Sequence, residues 1–127
     1  MSLAATLLAA LLGSCVIGDT TPPKTALFAG IASAGGHEAR GKLLQERIRT
    51  RFPIGSPEAG LADYLTSQGL KVKRTTGSGA PEQPTYGEAR ATYGPAACKM
   101  LVSVFWRGTK DGRLTELRAT HDTDRCL

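Results

Sequence analysis

Asparagine is absent from the 127 residues, so the chain holds no N-glycosylation acceptor. Histidine occurs only at His37 and His121, and neither stands in a nucleophile motif. Around Ser103 and His121 no Ser-His-Asp pattern is visible, and no closely spaced cysteine or histidine pair marks a zinc site. Gly77-Ser78-Gly79 lacks the helix and lysine of a phosphate-cradling loop. Asp122-Thr123-Asp124 lacks the further ligands and the glycine of an EF-hand. These gaps predict a chain with no enzymatic activity, no catalytic residue, no metal and no cofactor. Charged side chains are missing from residues 1–15, so the whole formal charge of +5 falls on the remainder. A membrane-spanning helix needs about 20 apolar residues. The apolar run from Leu3, even stretched to Ile17, is too short and contains Gly13 and Ser14.

What is there begins with that run. Leu3 to Leu12 is apolar and is closed by Gly13-Ser14-Cys15, the layout of an export signal ending in small residues. A cysteine at that boundary resembles the lipobox of bacterial lipoproteins. The resemblance implies a signal peptide over 1–14 and a Cys15 that becomes the first mature residue, carrying palmitate and further acyl chains. Two or more chains anchor a protein stably, whereas one is marginal. Val16 is not the aspartate that keeps enterobacterial lipoproteins at the inner membrane. The expected destination is therefore the outer membrane, facing the periplasm; a soluble periplasmic or secreted form is the alternative.

Cysteine arithmetic fits export. Of three cysteines, assigning Cys15 to lipid leaves Cys98 and Cys126. An even remainder in an oxidising compartment predicts one disulfide between them. Such a bridge contributes ~3–4 kcal/mol in the chain-entropy model and pins a C-terminus prone to fray.

Removing residues 1–14 leaves 127 − 14 = 113 residues, enough for one small domain with a modest core. Residues 15–36 read as a lipidated tether, stiffened by Pro22-Pro23, followed by an apolar segment at Ala26–Ile31. The domain occupies 37–127. Amphipathic spacing of Leu43, Leu44 and Ile48 predicts a helix from His37 to Arg49. A second helix over 57–68 starts with Ser56 as N-cap and Pro57 as first residue, and closes at a left-handed Gly69. Leu70 to Arg74 alternates as a strand. Residues 76–96, rich in glycine and proline, read as a long loop that displays Tyr86, Arg90 and Tyr93. Lys99 to Arg107 alternates around Trp106, Asp111-Gly112 turns the chain, and Arg113 to His121 returns. The expected architecture is α+β, two helices on a three-stranded antiparallel sheet.

Phe52-Pro53-Ile54-Gly55-Ser56-Pro57-Glu58, Leu61, Leu65 and Gly69-Leu70, together with the hairpin, resemble small envelope lipoproteins of the SmpA/OmlA (BamE-like) type. That likeness implies an accessory to outer-membrane assembly. The expected function is a scaffold or binding module for another envelope protein, with Tyr86, Arg90 and Tyr93 as partner-binding candidates. The rival is an inhibitor or immunity-type protein that blocks a secreted or periplasmic enzyme. Export argues against nucleic acid, and the scattered cations, with a local group at Arg47, Arg49 and Arg51, read as a solvated basic surface.

Overall fold

The computed structural model describes residues 21–75 and 84–126. The proposed signal peptide, Cys15 and the Gly77-Ser78-Gly79 stretch lie outside the described residues. Two short 3₁₀ helices, Ala26–Phe28 and Ile31–Ser33, lead into α1 (His37–Arg51) and α2 (Glu58–Ser67). Four strands follow: β1 (Lys71–Thr75), β2 (Thr85–Tyr93), β3 (Cys98–Gly108) and β4 (Leu114–Cys126). They pair antiparallel in chain order, β1-β2-β3-β4, and both helices lie on one face.

The expectation of a three-stranded sheet is thus corrected: the sheet has four strands, and two 3₁₀ helices precede the two α-helices. Within the segment 76–96 that reads as a loop, the nine residues Thr85–Tyr93 form β2. Its core-facing positions are Thr85, Gly87, Ala89, Ala91 and Tyr93, so the alternation is carried by small residues and gives a faint apolar signal. Gly87 supplies the reason. It pairs with Trp106 on β3, and a β-carbon there would lie 2.1 Å from Trp106 Cζ2. The indole occupies the space that a side chain on β2 would need.

Helix α1 carries Glu38 in its first turn and Arg49 and Arg51 in its last, each favoured by the helix dipole. Its buried residues Gly41, Leu44 and Ile48 face the core. A neighbouring stripe at four-residue spacing, His37, Gly41, Gln45 and Arg49, runs along the edge of β4. Gln45 Oε1 accepts from the Ala119 amide at 3.0 Å, and Arg49 Nη2 donates to the Leu117 carbonyl at 3.1 Å. Gly41 lets the backbones approach: a β-carbon there would stand 3.4 Å from the His121 amide nitrogen. The helix thereby satisfies backbone groups that an edge strand leaves open.

The start of α2 differs from expectation. Pro57, not Ser56, is the N-cap, and the helix begins at Glu58. The Ser56 hydroxyl donates back to the Pro53 carbonyl at 2.6 Å rather than capping the helix. The turn is held instead by the far hairpin: Glu58 N donates to Gly112 O, Leu114 N to Ser56 O, and Pro57 bridges Arg113. At the other end Gly69 has φ 101°. Leu70 N donates to Leu65 O and Gly69 N to Thr66 O, the paired bonds of a Schellman stop.

The core joins Leu44, Ile48, Leu61 and Leu65 from the helices to Val102, Val104, Trp106, Leu114 and Leu117 from the sheet. Leu27, Phe28 and Ile31 reach into the same core from the 3₁₀ segment. Cys98 stands opposite Cys126 in the β3–β4 register, and the two form a disulfide at the end of the hairpin away from its turn.

Candidate functional site

Strand periodicity divides the sheet's side chains between two environments. The helices cover one face, and no described element covers the other. On the uncovered face the register sets Thr75, Tyr86, Arg107 and Glu116 in one row across the strands. Lys73, Glu88, Phe105 and Arg118 form the next row, and Lys71, Arg90, Ser103 and Thr120 the third. Tyr86 and Phe105 are diagonal neighbours on the two central strands, 53% and 39% exposed. A shallow groove of about 720 Å³ runs over them, bordered by Lys73, Glu88, Arg107 and Arg118.

Five cations lie on this face: Lys71, Lys73, Arg90, Arg107 and Arg118. Arg90 Nε lies 2.5 Å from Glu88 and Arg107 Nε 3.9 Å from Glu116. Lys71, Lys73 and Arg118 have no ion-pair partner among the described residues. Aromatic rings and arginines are the side chains that most often anchor protein interfaces.

The three partner-binding candidates from sequence are divided by the fold. Tyr86 and Arg90 share the open face. Tyr93 has the opposite parity; it is 5% exposed and points toward the helices. Phe105, Lys73 and Arg118 were not singled out in the sequence. The alternation of β3 did carry a signal for Phe105, since it places Phe105 opposite in facing to the buried Trp106. In the Arg47, Arg49 and Arg51 group, Arg49 and Arg51 are exposed and Arg47 is half-buried, and each makes a contact within the fold. Arg47 donates to the Leu27 carbonyl, Arg49 to the Leu117 carbonyl, and Arg51 stacks 4.5 Å from the Tyr64 ring centre.

Two polar clusters lie on the helix-facing side. In one, Glu58 is 2% exposed at the start of α2. Arg74 on β1 binds it through Nε at 2.9 Å and Nη2 at 2.5 Å, and Trp106 Nε1 lies 3.3 Å from the same carboxylate. Burial pushes this carboxyl upward, but the bonds from Arg74 and Trp106 and the charge of Arg74 outweigh it, leaving it below the ordinary value. The buried charge is therefore kept and paired, with Trp106 as part of the core rather than a recognition residue.

In the other cluster, His37 Nδ1 and His121 Nδ1 are 2.8 Å apart. Tyr93 Oη lies 2.5 Å from His121 Nε2, and Thr123 Oγ1 lies 3.1 Å from His37 Nε2. Arg40 reaches Tyr93 Oη through Nη1 at 3.3 Å, while Nε and Nη2 hold the carbonyls of Gly35 and Ala32. Burial, then the charges of His37 and Arg40, lower the His121 pKa to about 4, against the pull of Asp122. Among the described residues no group of three or more His, Cys, Asp or Glu side chains is placed to hold a metal ion. No helix among them is long and apolar enough to cross a membrane. No family model, curated protein or solved structure matches this chain.

Proposed function

We propose that this chain is a lipid-anchored binding module of the bacterial envelope, tethered through Cys15 at the outer membrane, that uses its uncovered sheet face to hold an acidic protein partner. The observation that supports this most is the exposed Tyr86–Phe105 pair on the central strands, ringed by Lys71, Lys73, Arg90, Arg107 and Arg118. Exposed rings supply the apolar centre of an interface, and the cations steer an acidic surface toward it and fix its orientation. The rigid sheet keeps those groups in place before contact, which reduces the entropy lost on binding. No chemistry is assigned to the face; it acts by holding.

Affinity capture from envelope extracts tests the reading. Wild type should retain a stoichiometric partner, and both Tyr86→Ala/Phe105→Ala and Lys73→Glu/Arg118→Glu should lose it while keeping the wild-type circular dichroism spectrum. Equal capture by all three proteins rules the face out. An enzyme as the captured partner, with activity that falls on binding, would replace scaffolding by inhibition. For the tether, Cys15→Ala should abolish palmitate labelling and release the domain to the soluble fraction.

A further inference from the structure

The chain's only two histidines, 84 positions apart, meet where the first turn of α1 crosses the end of β4. A hydrogen bond between two Nδ1 atoms needs a single proton between them. Arg40 has only donors, so Tyr93 Oη accepts from it and directs its own proton to His121 Nε2. His121 then carries its proton on Nδ1 and donates to His37 Nδ1. His37 carries its proton on Nε2 and donates to Thr123 Oγ1. Every donor has an acceptor, and both rings are neutral. The ring centres are 5.0 Å apart with the nitrogens at 2.8 Å, so the rings meet head-on and share a proton. Two chelating imidazoles would instead aim their nitrogens at a common third point.

We propose that the His37–His121 pair is an acid-operated latch: one further proton on the pair weakens the histidine contact between α1 and β4 and loosens the segment 25–36 that leads into the domain. Both ring nitrogens without a proton already accept, His37 Nδ1 from His121 and His121 Nε2 from Tyr93, so a proton added at the exposed His37 Nδ1 displaces an existing bond. Two N–H groups would then face each other across the present hydrogen bond. Relief requires the whole chain to reverse: His121 moves its proton to Nε2, and Tyr93 accepts from both His121 and Arg40 with its hydroxyl proton turned away.

The surroundings resist that state. From α1, Arg40 places a cation against Tyr93, and the positive end of the helix lies at His37 itself. Glu38 and Lys42 border the groove beside the pair and lie 3.4 Å from each other. From β4, the charge of Asp122 and a backbone hydrogen bond at His121 favour the added proton. From β3, the uncharged Met100 stands opposite both Tyr93 and Thr123. The lead-in segment offers only carbonyls, those of Ala32 and Gly35, and both are held by Arg40. Arg40 thus links the two: in the reversed chain its acceptor Tyr93 Oη takes a second donor, and the same guanidinium pins the segment.

Hydrogen–deuterium exchange of the whole chain at pH 7.5 and 5.0, with labelling times scaled to the intrinsic rate, tests the latch. Peptides covering 26–41 should exchange about tenfold faster at pH 5.0 after scaling, measured relative to residues 98–106, which report global unfolding. His37→Gln, an exposed position where the amide keeps a hydrogen bond but takes no proton, should give the same ratio of the two peptides' rates at both pH values. Equal exchange of wild type at the two pH values overturns the proposal, as does acid opening that persists in His37→Gln.

Discussion

Gly87 and Trp106 stand opposite each other on β2 and β3, and the indole fills the volume where a side chain of residue 87 would begin. Gly87→Ala therefore overpacks a fully buried site. The expected loss is about 2–4 kcal/mol of folding stability, with a shift in tryptophan emission as the ring is displaced. Urea unfolding followed by fluorescence measures both, and an unchanged midpoint would show that the ring moves freely.

Glu58 holds the N-terminus of α2 to β1 through Arg74 and to the core through Trp106. Glu58→Gln keeps the shape but removes the charge that receives the Arg74 fork. A loss of about 2–4 kcal/mol is expected in chemical denaturation. Arg74→Met should be at least as damaging, because it leaves the buried carboxylate without its cation.

Stability should fall in two acid steps. The folded His121 has a pKa near 4 against 6.5 for the free side chain, so between those values the unfolded chain binds the extra proton. Its contribution is complete above pH 6.5 and is lost as pH falls toward 4, amounting to at most about 3 kcal/mol. Glu58 acts later: its lowered pKa gives stability that is present above 4.5 and is lost as pH falls through the folded value. Denaturation at closely spaced pH values reads the sequence of steps, and His121→Gln should remove the first while leaving the second.

The Cys98–Cys126 bridge closes the open end of the β3–β4 hairpin. Replacing both cysteines by serine should cost ~3–4 kcal/mol and expose the last residues of β4 to proteolysis. Peptide mapping under non-reducing conditions should recover the two cysteines in one linked fragment.

The helices and three of the strands were legible because their signals are local. Leu44 and Ile48 keep helical spacing, Gly69 stops α2, and Val102, Val104 and Trp106 recur at every second position. Strand β2 was hidden because its inward residues are small for a reason located on another strand. Sequence shows that Gly87 is a glycine; only the pairing shows that Trp106 occupies its space. The binding candidates suffered likewise. Once the stretch is a strand, Tyr86 and Arg90 fall on one side and Tyr93 on the other, a division that a loop does not impose. The histidine contact spans 84 positions and follows from how α1 lies along β4, which no local pattern encodes.

That placement of α1 has a consequence for association. With Gln45 and Arg49 occupying the Ala119 amide and the Leu117 carbonyl, the middle of β4 is closed to a strand from a neighbouring molecule. Edge-to-edge pairing through that part of β4 would require α1 to give up both bonds, so the helix guards the strand against sheet extension.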